Sequence, residues 1–229
     1  MKRTINIALG LCILTGFAAA QETPGWEVSG GYQYTRQDLA SLPAQVNLYT
    51  ESAGLPKLDL ASAKNASGFN FGVQENLNNW FGGVLVFSGS YPTMDLNITQ
   101  QLRASGIAPM VPNATDIFKA NAQVYNFLFG PQFTLRRNPR VQPFVRVMIG
   151  GARANAKANV WENGAKTLAT DMQASDTGLA LGGGGGVDIR MASHVYFRVA
   201  GDFVRTSLFN DTEKNLALSA GITYRIGSR

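Results

Sequence analysis

The chain has 229 residues, with 20 basic and 15 acidic side chains, 25 glycines and a single cysteine. A net charge of +5 is too mild to mark a nucleic-acid binder, and one cysteine excludes a disulfide framework. Nothing after residue 20 is apolar for long enough to make a membrane-spanning helix, and helix formers do not recur at helical spacing, so a β domain is expected.

Taken in order, the chain opens on a secretory leader. Lys2 and Arg3 form a basic start, residues 5–17 an apolar run, and Ala18-Ala19-Ala20 a small-residue cleavage site. The run is too short to span a bilayer, so cleavage after Ala20 is expected. Cys12 follows Leu11 where a lipoprotein signal needs a small residue, so it leaves with the leader. Residues 21–229 then form one domain without cysteine, carrying 18 basic and 15 acidic side chains.

Eight strands follow, each read from alternation of apolar and small or polar residues. The first sets Trp26, Val28, Tyr32 and Tyr34 against Glu27, Ser29, Gln33 and Thr35. Residues 36–65 read as a long loop. The second strand carries Phe69, Phe71 and Val73; a short turn near residues 76–79 leads to the third, with Phe81, Leu85, Phe87 and Tyr91. On the other face of that strand, Val84 and Val86 break the polar pattern. A second long loop, residues 92–120, precedes the fourth strand, where Tyr125, Phe127, Phe129, Phe133 and Leu135 share a face with Pro131. Proline lacks an N–H, so a bulge or a missing ladder bond is expected there.

The turn at residues 137–140 leads to the fifth strand, with Val141, Val145, Val147 and Ile149 on one face and Phe144, Arg146 and Met148 on the other. Glu162-Asn163-Gly164 signals a hairpin at the tip of the third loop, beyond the apolar part of strands five and six. A three-residue turn there would set Val141 opposite Gly185 and keep the apolar faces aligned. The sixth strand carries Leu179, Leu181, Val187 and Ile189, the seventh Val195, Phe197, Val199 and Phe203, with a short turn at residues 191–194 between them. A shorter fourth loop, residues 206–214, reaches the last strand, where Leu216, Leu218, Ala220, Ile222, Tyr224 and Ile226 oppose Ala217, Ser219, Gly221, Thr223 and Arg225.

Long and short connections thus alternate, as in transmembrane barrels with short periplasmic turns and long extracellular loops. A soluble barrel would turn its apolar face inward. Of 23 aromatic residues, 15 fall on the apolar parity and only Phe144 and Tyr196 on the other. An eight-stranded interior has room for ordinary side chains but not for fifteen rings. The apolar face therefore points to lipid, with Trp26, Trp80 and Tyr224 at one interface and Tyr34, Tyr91 and Tyr125 at the other.

The end of the chain resembles the C-terminal assembly signal of bacterial outer-membrane barrels, polar-x-Gly-x-x-aromatic-x-aromatic. Ser219, Gly221 and Tyr224 match it, and Ile226 replaces the final aromatic. Strand count, loop asymmetry, leader and this motif together resemble the OmpA-like superfamily of eight-stranded outer-membrane β-barrels, with its OmpX and opacity-protein relatives. The resemblance covers about residues 26–227. It implies an all-β, antiparallel up-and-down barrel in the cell outer membrane of a Gram-negative-type bacterium, with membrane lipid and the barrel assembly machinery as partners. No peptidoglycan-binding domain follows residue 227, so the wall-anchoring role of some relatives is not implied.

Inward charges are the informative polar set. Glu27, Asp188 and Asp202 face Arg146, Arg190, Arg198 and Arg225, and a charge in a narrow bore is costly unless paired. Glu27 with Arg225, and Asp188 with Arg198, are expected ion pairs. Pure interior filling is the plain reading; gating of a small conductance is the functional one. The run from Gly182 to Gly186 lacks the phosphate-loop ending and lies inside a strand, which points to close backbone approach. Outer-membrane lipid A deacylases and palmitoyltransferases are also eight-stranded, and they rely on a paired His and Ser. The one histidine, His194, sits in a predicted periplasmic turn without a Ser two positions on. No metal-ligand spacing and no cofactor motif stand out. A non-enzymatic structural or surface barrel, a narrow porin passing small solutes, and an adhesin binding an extracellular partner through its loops are the readings carried forward.

Overall fold

The structure is a computed structural model that describes residues 23–38, 63–97, 116–162, 165–166, 172–208 and 211–227. These form ten strands: β1 (Trp26–Asp38), β2 (Ala63–Asn76), β3 (Phe81–Tyr91), β4 (Thr93–Asn97), β5 (Asp116–Thr134), β6 (Val141–Glu162), β7 (Ala165–Lys166), β8 (Met172–Arg190), β9 (Val195–Leu208) and β10 (Asp211–Ile226). The expected leader with its cleavage after Ala20, the middle of each of the first two loops, and Asn163-Gly164 lie outside the described residues.

All pairings are antiparallel, and the β5–β6 ladder closes the sheet into a ring of eight staves: β1, β2, β3, β5, β6, β8, β9 and β10. β4 is β3 resumed after Pro92, since both strands pair with β5 in one register and Ala122 N donates to Pro92 O at 3.0 Å. Closure leaves the ring with no open edge, which is what a wall in lipid requires. Stepping round the ring through paired residues, from Thr35 by way of Ala217, Asp202, Gly184, Arg146, Gln132, Gly82 and Asn76, returns to β1 at Gly25. That descent of ten residues is the shear of the barrel, and with eight staves it gives a strand tilt of about 40°.

The alternation read from the sequence is the alternation of the wall. Phe127, Phe129, Val145, Val147, Leu218 and Ile222 are exposed, whereas Leu128, Arg146, Met148, Ala217 and Thr223 are buried. On β6 the outward apolar face runs from Val141 to Gly151 and meets its first charge at Arg153. At 3.3 Å per residue and this tilt, the band is about 25 Å tall, which fits a bilayer core of the kind outer-membrane barrels cross.

Two features differ from the expectations, and at Pro131 one of the two expected outcomes is found. Val141 pairs with Ile189, not Gly185. Glu162 pairs with Ala165, so the tip is a two-residue hairpin, and the register then shifts by three between Lys166 and Met172. That odd shift restores the face parity which the two-residue turn alone would break. The expected fourth loop is strand nearly throughout, because Leu208 pairs with Asp211. Residues 206–214 looked loop-like because outward side chains above the apolar band are free to be polar. Pro131 causes no bulge. The β5–β6 register is the same on both sides of it, and only the pairings of Gly130 and Pro131 with β6 are missing, as expected of a residue without an N–H.

Val147 is 63% exposed and lies midway between Val141 and Arg153 on the outer face. Val147→Arg is expected to cost about 2–4 kcal/mol in urea unfolding from lipid vesicles, and Val141→Arg, at the edge of the band, about 0–1 kcal/mol. Equal costs would contradict the outward assignment of this face.

Candidate functional site

The polar interior begins at the short-turn mouth. The Glu27–Arg225 pairing across the β1–β10 seam and the Asp188–Arg198 pairing across β8–β9 put acid and base side by side, pointing inward. Arg198 grips Asp188 with a two-pronged fork, Nε to Oδ1 at 2.7 Å and Nη2 to Oδ2 at 2.8 Å, and reaches Glu27 Oε2 at 3.2 Å. Arg225 lies 3.5 Å from Glu27 Oε1 and donates to Asp188 Oδ2 at 3.3 Å. A third guanidinium, Arg136, donates to Glu27 Oε1, to Asn76 Oδ1 at 2.9 Å and to Asn79 O at 3.1 Å. Two carboxylates therefore hold three guanidiniums. Asn76 donates to Glu27 Oε1 at 3.0 Å, and Gln74 and Gln132 extend the chain of bonds across β2 and β5.

The two inward aromatics belong to this cluster. Arg198 sits 4.6 Å from the centre of the Phe144 ring, and Arg225 lies 3.5 Å from that of Tyr196. A desolvated guanidinium gains from a ring face, so these rings hold the two arginines against their carboxylates.

Higher in the bore, Arg146 forks onto Asp202, Nε to Oδ1 at 2.9 Å and Nη2 to Oδ2 at 2.6 Å. The two residues are on β6 and β9, with Gly184 of β8 in register between them. A Cβ on Gly184 would lie 2.3 Å from Asp202 Oδ1 and 2.3 Å from Gly201 O. The glycine run thus leaves β8 bare on its inner face, and Arg146 crosses over it. Toward the loop end, Val84, Val86, Val124, Leu128, Met148 and Val204 are part of a buried apolar cluster on the β3–β9 side. Gln33, Thr35, Asn70 and Asn215 face it from the other side, across a cavity of about 20 Å³, space for a water or so.

The sequence-expected charges fall into two groups. Glu27, Asp188, Asp202, Arg146, Arg198 and Arg225 are all buried in the bore. Arg190 is not. It has inward parity but ends β8 beyond the mouth, where it is exposed and donates to Ala192 O at 3.3 Å. Arg136 takes the place in the cluster that the sequence reading gave to Arg190. It follows Thr134 by two residues, so its parity was available as a signal, but β5 stops at Thr134 and Arg136 falls between the strand and the turn read at residues 137–140.

Trp26, Trp80, Tyr224, Tyr34 and Tyr91 are exposed on the outer face. Tyr125 is half-buried, with its ring stacked on Phe87 and edge-on to Tyr91. Of the assembly-motif residues, Ser219 and Gly221 face inward and Tyr224 and Ile226 outward. Gly221 packs its backbone onto Gly31, where either Cβ would meet the other strand at under 2.6 Å. His194 is exposed in the β8–β9 turn, its ring 6.2 Å from that of Tyr224. Among the described residues, the buried charged side chains are thus fixed ions locked to one another. Such a set can fill and rigidify a bore.

The profile of the family described as outer membrane protein beta-barrel domain matches residues 6–227. Among solved structures, the chain is similar to Ail, the attachment invasion locus protein of Yersinia pestis, in complex with the heparin analogue sucrose octasulfate. Identity is 18% over 88% of this chain and 99% of Ail, with a TM-score of 0.52. A second structure of Ail has 18% identity over 88% and 99% at TM-score 0.49. Neisserial surface protein A has 11% identity over 88% and 97% at TM-score 0.48. No curated protein matches the sequence.

Likeness at this level concerns the wall, so the weight of the buried charges is a matter for substitution. Arg198→Ala removes the fork on Asp188 and is expected to cost about 3–5 kcal/mol. Gly184→Ala is expected to cost about 1–3 kcal/mol by overpacking, and Arg190→Ala to stay within about 0.5 kcal/mol. Urea unfolding in detergent or vesicles measures all three. An Arg190 variant as damaged as the Arg198 variant would contradict the assignment.

Proposed function

Because the chain belongs to the outer membrane protein beta-barrel domain family, matched over residues 6–227, we propose that it works as a plugged, non-enzymatic surface barrel that holds its extracellular connections on a rigid wall. It is a bacterial outer-membrane β-barrel protein. The carrying observation is the filled bore. At the periplasmic mouth Glu27, Asp188, Arg136, Arg198 and Arg225 interlock, and above the Arg146–Asp202 fork an apolar cluster faces polar side chains across a cavity of only about 20 Å³. A hydrated solute needs a wider and continuous path.

The membrane-lipid environment follows from the outward apolar face. Export with cleavage after Ala20, and engagement of the assembly machinery through Ser219, Gly221, Tyr224 and Ile226, complete the reading. They are supported by the leader sequence and by the place of β10 at the closing seam. Against catalysis stands the position of His194, exposed at the periplasmic rim, far from outer-leaflet acyl chains. Binding of an extracellular partner through the long connections 39–62 and 98–115 fits the same scaffold, since loops on a rigid barrel commonly carry function.

Planar-bilayer recording tests the reading. The purified barrel is expected to give no resolved unitary openings. Reproducible small steps, abolished by reinforcing the apolar cluster with Val204→Leu, would favour the narrow porin.

A further inference from the structure

A proline inside a central stave removes a ladder bond. This wall has two, Pro131 on β5 and Pro143 on β6, and both turn the side that lacks an N–H toward the same seam. The ladder fixes that direction. Leu135 N donates to Pro143 O at 2.8 Å, so this pair is of the hydrogen-bonded kind. Such pairs recur at every second residue of an antiparallel ladder. Going up the β5–β6 seam, the next positions of this kind are Phe133–Val145, Pro131–Val147 and Phe129–Ile149, and only the first and last of these are paired. Pro143 has no N–H to return to Leu135. Of four consecutive rungs, from the periplasmic end to mid-wall, one is therefore absent and one is halved.

Side chains do not make up the loss. Inside, the lower end of β5 is tied back toward β1 and β2. Gln132 donates to Gln74 Oε1 at 2.6 Å, and Arg136 holds Glu27, Asn76 and Asn79. β6 is tied the other way, to β9, by the Arg146–Asp202 fork and by Phe144 beneath Arg198. Outside, the Phe133 ring packs on Trp80 and Phe81, with centres 5.8 and 5.3 Å away, whereas Val141, Pro143, Val145 and Val147 of β6 bring no ring to the seam. Among the described residues, no side-chain hydrogen bond or ion pair joins this part of β5 to β6. Two carboxamides are left over beside the divide. Gln132 on β5 and Gln142 on β6 are fully buried, yet Gln132 Oε1 and both polar atoms of Gln142 have no partner. Where the strands part at the periplasmic end, a groove lined by Leu135, Arg137, Pro139, Val141 and Pro143 already indents the outer wall.

We propose that the lower β5–β6 ladder is a lateral slit. It parts from the periplasmic mouth up to Pro131 and gives water access to the orphaned carboxamides of Gln132 and Gln142, while the other seams stay closed. β5 moves with the strands its side chains hold, and β6 with those that it holds, so the slit opens without breaking an ion pair. The Arg146–Asp202 fork and the apolar cluster around Leu128 and Met148 stay in place. The opening therefore wets the foot of the bore and makes no path through it. The inference rests on the membrane placement of the wall and is independent of what the loops bind.

Amide hydrogen exchange of the whole barrel in lipid nanodiscs, read residue by residue by NMR, provides the test. On β6 the N–H groups of Val145 and Val147 point to β5. Those of Phe144 and Arg146 point to β8, since Arg190 N donates to Arg140 O and the even residues of β6 share that side. The slit gives β6 an alternating pattern: Val145 and Val147 are expected to exchange about tenfold faster than Phe144 and Arg146. They are expected to exceed by the same factor Gly30 and Ile222, which face each other across the β1–β10 seam. Pro131→Val restores a donor for Val147 O and is expected to slow Val145 and Val147 about tenfold. Pro143→Val repairs the lower rung and carries the comparison should the first variant not fold, which heat-modified gel mobility reports. Uniform exchange along β6, exchange at Val145 and Val147 as slow as at Gly30 and Ile222, or unchanged rates in a folded proline variant would each overturn the assignment.

Discussion

A charge enclosed by eight staves has nowhere to go for solvent, and this constraint organises the whole interior. Glu27 and Asp188 are fully buried. Each could exist as an ion only with guanidiniums brought to it from neighbouring strands. Because Glu27 lies on β1, Asp188 on β8, Arg198 on β9, Arg225 on β10 and Arg136 just past β5, the cluster ties together strands far apart in the chain, including the two that meet at the seam. Closure by backbone pairing and neutralisation by side chains are thus two requirements met by the same register. A slip of one residue at the β1–β10 seam would turn Glu27 or Arg225 toward lipid.

Much of this was legible beforehand, because a strand in lipid has a simple grammar. Phe127, Leu218 and Ile222 had to face out, since the bore has no room for them, and they do. The direct partners Glu27–Arg225 and Asp188–Arg198 could be guessed from depth alone. What escaped is whatever depends on where a strand stops. Arg190 and Arg136 share the inward parity, yet one lies past the mouth and the other bends back into it, and periodicity does not distinguish the two. The β6–β8 register escaped for a similar reason. A two-residue hairpin and a three-residue shift compensate each other, so the face pattern is the same as for a single three-residue turn.

The glycine run shows the limit of pattern reading in another way. Gly182 to Gly186 reads as backbone approaching something closely, but composition does not say what. The structure supplies the answer at Gly184, where the Arg146–Asp202 fork passes over a strand with no side chain in its path. An interior built this way is a latticework of long side chains bridging bare stretches. It resists opening because no single residue forms the plug. Removing one leaves the rest anchored on other strands.

The staves also differ in reach. β6 continues nine residues past Arg153, to Glu162, and β5 and β8 accompany it, while among the described residues β1 reaches Asp38 and β9 reaches Leu208. At the tilt of this barrel, β6 rises about 20 Å beyond Arg153, where its outward apolar face ends. The described wall is therefore a lopsided parapet. Among the described residues, it gives a large visitor from outside the cell, whether antibody, phage tail or host molecule, a stiff ladder edge to grip. Neighbouring copies crowded in the same membrane would present that ladder edge in different directions according to which way they are turned.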